Sequence, residues 1–251
     1  MPILAWLRDW EWHIEEKVMM PEATTTRISP ARLQMSYEEF LTWAGEDPHA
    51  EWVHGEVIIH MPPKDIHQAT LGFLHLLIQL FVQLLDLGKV RVAPFEVLLV
   101  PGQISREPDL LFVAKANMAR LTQERVVGPP DLIVEIISDD SVQRDRRDKF
   151  REYRMAGVQE YWIIDPRPNK QRADFFRLDA SGEYALFATE DDDRVAASVL
   201  PGFWLRPAWL WQVDTLDPLS VLFEMRGLPA AQGEQILQIL RSGAPESTSS
   251  T

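Results

Sequence analysis

The sequence predicts an α/β fold: a mixed central sheet flanked by helices, with a C-terminal strand meander. Three observations carry this. Apolar residues Leu71, Leu74, Ile78, Phe81, Val82 and Leu85 recur at helical spacing between His67 and about Leu87. The runs "RVAPFEVLLV", "DLLFVA", "DLIVEII" and "EYWIID" read as strands, and the second and third are nearly continuous apolar stretches, as strands covered on both faces are. A basic helix separates the last two, giving the order helix, three strands, helix, strand.

Along the chain, residues 1–33 read as an N-terminal extension, rich in Trp and Met and closing in "PEATTTRISP". It is either a flexible addition or a start read too far upstream, since Met19, Met20 and Met35 are available. Residues 34–226 form the expected domain. In "SYEEFLTWAGE", Ser36 and Glu39 have the spacing of a capping box, which satisfies free N–H groups at a helix start. "AEWVHGEVIIHMPP" reads as a strand or a hairpin turning at His54-Gly55. After Pro166, "ADFFRL", "EYALFA" and "RVAASVLPGFWL" read as the meander. Residues 227–251 give a final helix and a disordered tail, "APESTSST".

A chain of 251 residues suits one sizeable domain with elaborations or two small ones. The absence of cysteine excludes disulfides and thiolate metal sites. The N-terminus is interrupted by Arg8, Asp9 and Glu11 and lacks a secretory apolar core, which points to the cytoplasm. "LGFLHLLIQLFVQLL" is shorter than the ~20 residues a membrane span needs and holds His75, Gln79 and Gln83, so it reads as a core helix and no membrane is expected. The net charge is -13, from 38 acidic and 25 basic residues. Such a surface repels nucleic acid at long range, and contact with DNA requires a local basic patch.

No Gly-rich phosphate loop, Gly-x-Ser-x-Gly elbow or His-Glu-x-x-His motif is present. What stands out is acidic: "EPD" (Glu107, Pro108, Asp109) heading one strand and Glu135 within the next. A carboxylate between Val134 and Ile136 loses hydration, at a cost of several kcal/mol unless a cation compensates. If the two strands are neighbours, Asp109 and Glu135 converge near a strand end and invite a divalent ion such as Mg²⁺. The plainer alternative is an edge residue or the partner of an internal Arg. The following helix holds Arg144, Arg146, Arg147, Lys149, Arg151 and Arg154 against Asp145, Asp148 and Glu152, a local charge of +3. It reads either as a solvated face with i,i+4 pairs such as Asp145–Lys149 or as an edge facing phosphate. "EDDDR" (Glu190 to Arg194) reads as a solvated turn. The nine Trp read as core or oligomer interface.

"EPDLLFV" followed by "GPPDLIVEIISDDSVQRDRRDKFREYRMAGVQEYWIIDP" resembles a bacterial family of restriction-endonuclease-like proteins within the PD-(D/E)XK nuclease superfamily. "YEEFLTWAGEDPHAEWVHGEVIIHMPPKDIHQATLGFL" and "LPGFWL" extend the resemblance to about Ser36–Val213. It implies a restriction-endonuclease-like fold and a metal-dependent endonuclease hydrolysing phosphodiester bonds of DNA, with Mg²⁺ (Mn²⁺ as a substitute) as cofactor. Asp109 and Glu135 would hold the metal, with the Ile136 carbonyl as a further ligand. The superfamily lysine belongs two residues after the Glu, where this chain has Ile137. The resemblance implies that Lys149 replaces it. Arg144, Arg147 and Arg151 would bind phosphate, with Glu51, Glu56 and His67 as possible accessory residues. His54 stands where the family has an acid, and Lys64 and Asp65 where small residues are expected, which leaves details of the pocket open. A homodimer is what the superfamily implies for cutting two strands. Two further readings compete: a catalytically inactive binding or structural module of the same fold, and a metal hydrolase of a small phosphorylated substrate.

Overall fold

The computed structural model describes residues 33–44 and 50–242. Most of the N-terminal extension and the tail from residue 243 lie outside them, so the expectations about a flexible start and a disordered end do too. The domain opens with β1 (Leu33–Gln34) and α1 (Tyr37–Ala44). The capping box forms as spaced: Glu39 N–H donates to Ser36 Oγ at 3.2 Å, and Ser36 N–H to Glu39 Oε2 at 2.8 Å. Next come β2 (Ala50–Val53) and β3 (Glu56–Ile59), a hairpin whose turn needs positive φ at His54 (49°) and Gly55 (90°).

The apolar helix α2 spans Asp65–Leu85 and ends at Asp86 in the left-handed region, φ 52°. It is long and apolar enough to cross a membrane by length and composition. Phe73, Leu74, Leu77, Ile78, Phe81 and Val82 are instead buried in the protein core.

The run read as one strand in "RVAPFEVLLV" is two: β4 (Gly88–Val92) and β5 (Glu96–Val100), in different sheets. The break falls at the cis Ala93-Pro94 bond, where proline offers no N–H to a ladder. Then follow β6 (Ile104–Arg106), β7 (Leu110–Ala114), β8 (Arg125–Val127) and β9 (Leu132–Ile136). A π-helical turn, Arg144–Lys149, runs directly into α3 (Phe150–Ala156). β10 (Glu160–Asp165), β11 (Arg172–Leu178) and β12 (Tyr184–Thr189) follow. The third meander strand is not part of the sheet. β13 (Val195–Ala196) and β14 (Trp204–Leu205) pair separately as a short ribbon, because Ser198 to Gly202 turns between them. Helices α4 (Pro218–Met225) and α5 (Ala230–Ser242) close the chain.

Two six-stranded sheets result where the sequence shows one. The first runs β1-β3-β2-β6-β5-β8 and the second β12-β11-β10-β9-β7-β4. Both are mixed: β9 and β10 are parallel, as are β5 and β8, and the remaining pairs are antiparallel. Alternation divides the second sheet between two cores. Leu132, Val134, Trp162 and Ile164 join the core that includes α2 and α4. Ile133, Ile137, Tyr161 and Ile163 join the other, with Val97 and Ile104 of the first sheet and Tyr153 of α3. Glu135 shares the parity of Ile133 and Ile137, so it points toward the first sheet and α3.

Candidate active site

β7 and β9 are antiparallel neighbours, with Leu110 opposite Val134 and Leu111 opposite Ile133. Continued by one residue, this register sets Asp109 beside Glu135. The Ile136 N–H donates to Asp109 Oδ2 at 2.7 Å, tying the head of one strand to the end of the other. From the first turn of α2, His67 brings Nε2 to 3.3 Å from Asp109 Oδ2.

The π-helical turn supplies the third side. Its wider winding points both Asp145 and Lys149 inward, at 2% and 3% exposure. Lys149 Nζ lies 2.9 Å from Glu135 Oε1, 3.0 Å from Glu51 Oε1 and 3.6 Å from Asp145 Oδ1. The Asp145–Lys149 spacing, which also suits a solvated pair, is thus buried at the centre of the site. Tyr153 from α3 donates its hydroxyl to Glu135 Oε1 at 2.7 Å, and Tyr161 donates to the Asp145 carbonyl at 2.9 Å.

Behind Lys149 stands a second ionic layer, of which the sequence points only to Glu51 as an accessory residue. The β2–β6 register pairs Trp52 with Ser105, which carries Glu51 opposite Arg106. Arg106 Nη1 donates to Glu51 Oε2 at 2.8 Å, while its Nε and Nη2 both bond Glu152 at 2.8 Å. Arg106 is 2% exposed. The Glu107 N–H adds a bond to Glu51 Oε1 at 3.1 Å. His60 Nε2 sits 3.3 Å from Glu51 Oε2, and its Nδ1 lies 3.3 Å from Arg144 Nη2. Arg106 directly precedes "EPD", in a stretch that the sequence reading assigns to no strand, so no local signal marks it.

Charge sets these groups apart. Burial raises the Glu51 carboxyl, but Lys149 and Arg106 overcome it and hold it well below the usual range. Burial wins at Glu135, lifting it to about 8 against the pull of Lys149, with Asp145 and Asp109 adding repulsion. Glu107 also rises to about 8, through burial and the charge on Glu51. Burial alone would lower His67, yet its bond to Asp109 raises it. Burial opposes the charge on Lys149 too, but Glu135, Glu51 and Asp145 outweigh it and raise its pKa above the ordinary lysine value. Asp145 Oδ1 is buried without a hydrogen-bond partner.

These groups face a cavity of about 540 Å³. Asp109, Glu135, Lys149, His67 and Arg144 line it, together with Glu107 and Asp145. Glu51 lies one layer back, bonded to Lys149. Glu56 on β3 stands opposite Val53 and Gln34 and does not line the cavity. Arg147 and Arg151 are exposed outside it. "EDDDR" is a turn exposed from Asp191 to Arg194, in which Asp192 Oδ2 accepts the Thr189 N–H at 2.8 Å. Among the described residues, no group of three or more His, Asp or Glu side chains is placed to hold a metal ion. The donors that face the cavity include several carboxylate oxygens, the class that suits a Mg²⁺ ion retaining several waters. Asp145 Oδ1, which accepts no hydrogen bond, and the carboxylates of Glu135 and Glu51 share the single ammonium of Lys149, a crowding of acids that a divalent cation would relieve.

Comparison with known proteins agrees with this architecture. Residues 37–208 match the model of the Uma2 family, described as "Putative restriction endonuclease". Five solved chains match the fold. One is the crystal structure of "a putative nuclease belonging to DUF820" from Anabaena variabilis ATCC 29413, with TM-score 0.59 and 21% identity, covering 71% of this chain and 98% of that one. No curated protein matches. The family model spans β7, β9 and the π-helical turn, the segments that bring Asp109, Glu135 and Lys149 together, and the chain belongs to the Uma2 family, with a restriction-endonuclease-like fold.

Proposed function

We propose that this protein is a metal-dependent endonuclease that hydrolyses phosphodiester bonds of DNA. The observation that carries the reading is the convergence of Asp109, Glu135 and Lys149, from two strands and a helical turn, on one cavity. Asp109 and Glu135 would hold Mg²⁺, or Mn²⁺ in its place. When bound, the ion supplies Lewis-acid polarisation of the phosphate and a more acidic water. Lys149 Nζ, fixed by Glu135 and Glu51, presents a positive charge where negative charge develops on the phosphate. Arg144, on the cavity wall, anchors the phosphate. His67 holds Asp109 through its ring nitrogen, so the carboxylate is oriented before substrate arrives.

The test compares wild type with D109A, E135A and K149A on supercoiled plasmid and single-stranded DNA, with Mg²⁺, Mn²⁺ or EDTA. Each variant is first checked for folding by circular dichroism. Metal-dependent nicking in wild type and loss of about a hundredfold or more in each variant supports the reading. A folded wild type that cuts neither DNA with either metal, beside an active control nuclease, overturns it.

A further inference from the structure

We propose that the DNA this site accepts is an unpaired strand (single-stranded DNA, a displaced strand or a frayed end), not intact duplex. The inference rests on the nuclease reading of the site and adds a substrate class to it.

The first ground is depth. Glu135 and Lys149 are 2% and 3% exposed, so a phosphate must enter the cavity to meet them. Duplex DNA is stiff, with a persistence length of about 150 bp, and cannot fold into a cavity of about 540 Å³. A single strand bends at every nucleotide. Enzymes that act on a base in a closed pocket likewise take single strands or extruded nucleotides, because the pocket does not admit the duplex.

The second is the wall. One side is apolar, built by Met61, Pro62, Pro63 and Pro94, with Met61 73% exposed. Exposed apolar side chains of this kind suit contact with an unstacked base, which a duplex would keep inside its stack.

The third is the distribution of cations. In a chain of net charge -13, Arg144 lines the cavity, and Arg147 and Arg151 follow it on the same helical segment, outside the cavity lining. Both are exposed and make no ion pair among the described residues. An α-helix would advance roughly 10 Å over the seven residues from Arg144 to Arg151, and the wider winding of the π-helical turn makes this segment shorter still. This is one narrow track for one backbone. A single strand also needs a single active site, which removes the two-strand argument for a dimer.

The test presents one labelled oligonucleotide three ways: unpaired, fully paired, and paired around a central bubble, with Mg²⁺ or Mn²⁺. The expected result is cleavage of the unpaired strand about tenfold or more faster than duplex, with cuts in the bubble confined to its open stretch. Charge reversal of the track, R147E with R151E, is expected to raise KM for the single strand about tenfold and to flatten its salt dependence. Duplex cut as fast as single strand overturns the inference and leaves the nuclease reading standing. If nothing is cut, the nuclease reading fails, and binding to the same oligonucleotides in EDTA decides this inference. Preference for the unpaired strand supports it, and equal or tighter duplex binding overturns it.

Discussion

Lys149 Nζ lies 2.9 Å from Glu135 Oε1, and both side chains are buried to within 3% exposure. This contact explains how a strand core tolerates a carboxylate, and under the proposed function it gives Glu135 the lysine that position 137 lacks. It also predicts that K149M is costly in two ways. Removing one member of a buried ionic set leaves the others uncompensated, a loss of roughly 3–5 kcal/mol. Thermal melting should show a large drop in Tm, and nicking should fall about a hundredfold even below that Tm. A variant that melts like wild type would show that the three carboxylates do not depend on the ammonium.

The elevated Glu135 makes stability depend on pH in a definite direction. Its folded value, about 8, exceeds the unfolded carboxylate value of about 4.3. Between those values the folded state binds more protons than the unfolded state. Metal-free protein therefore loses stability as pH rises from about 4.3 to about 8 on account of this group. E135Q removes the titration, so its Tm should fall less steeply across that window. Parallel Tm–pH curves for the two proteins would contradict the assignment.

Bound metal should act on the same charges. An ion that binds the folded state alone stabilises it by about 2.7 kcal/mol at a hundredfold excess over Kd. That corresponds to a Tm rise of roughly 5–10 °C for a chain of this size. Wild type titrated with Mn²⁺ or Mg²⁺ should show the rise, and D109A should show little. A rise that survives D109A would place the ion elsewhere.

Much of the site was legible because strand alternation is local. "EPDLLFV" and "DLIVEII" gave two strands, with Asp109 at the head of one and Glu135 within the other. The Asp109–Glu135 register needed only that the strands be neighbours, which they are. Arg106 and Glu152 were not legible, because their pairing joins β6 to α3 across 46 residues, with nothing local to announce it. The second sheet was missed for a related reason: "RVAPFEVLLV" has continuous strand composition, and the break at Pro94 that sends its halves to different sheets is a tertiary choice.

Gly88 gives a prediction about the fold alone. Its φ is 151°, and a Cβ placed there would lie 2.1 Å from the Val113 carbonyl oxygen. That oxygen is backbone in the adjacent strand β7, which is paired to β4 through Gly88 and Ala114. G88A must therefore separate the two strands at this end. A loss of roughly 3 kcal/mol or more is expected in chemical denaturation, with the transition remaining cooperative. A variant within about 0.5 kcal/mol of wild type would mean that this edge of the sheet gives way freely.

Arg106 offers the sharpest separation of burial from pairing. R106M leaves Glu152 buried at 8% exposure without its two guanidinium bonds, and leaves Glu51 with Lys149 as its main cation. The expected loss is roughly 3–5 kcal/mol. Replacing Glu152 as well, in R106M/E152L, removes the uncompensated carboxylate and fills the space with apolar atoms. Because Glu51 keeps its bond to Lys149, the double variant should be more stable than R106M by roughly 1–3 kcal/mol, a coupling that additive single effects cannot give. Denaturant unfolding of the four proteins in the cycle measures it. Additive losses would mean that Arg106 acts through its packing against the sheet, with its charge irrelevant to Glu152.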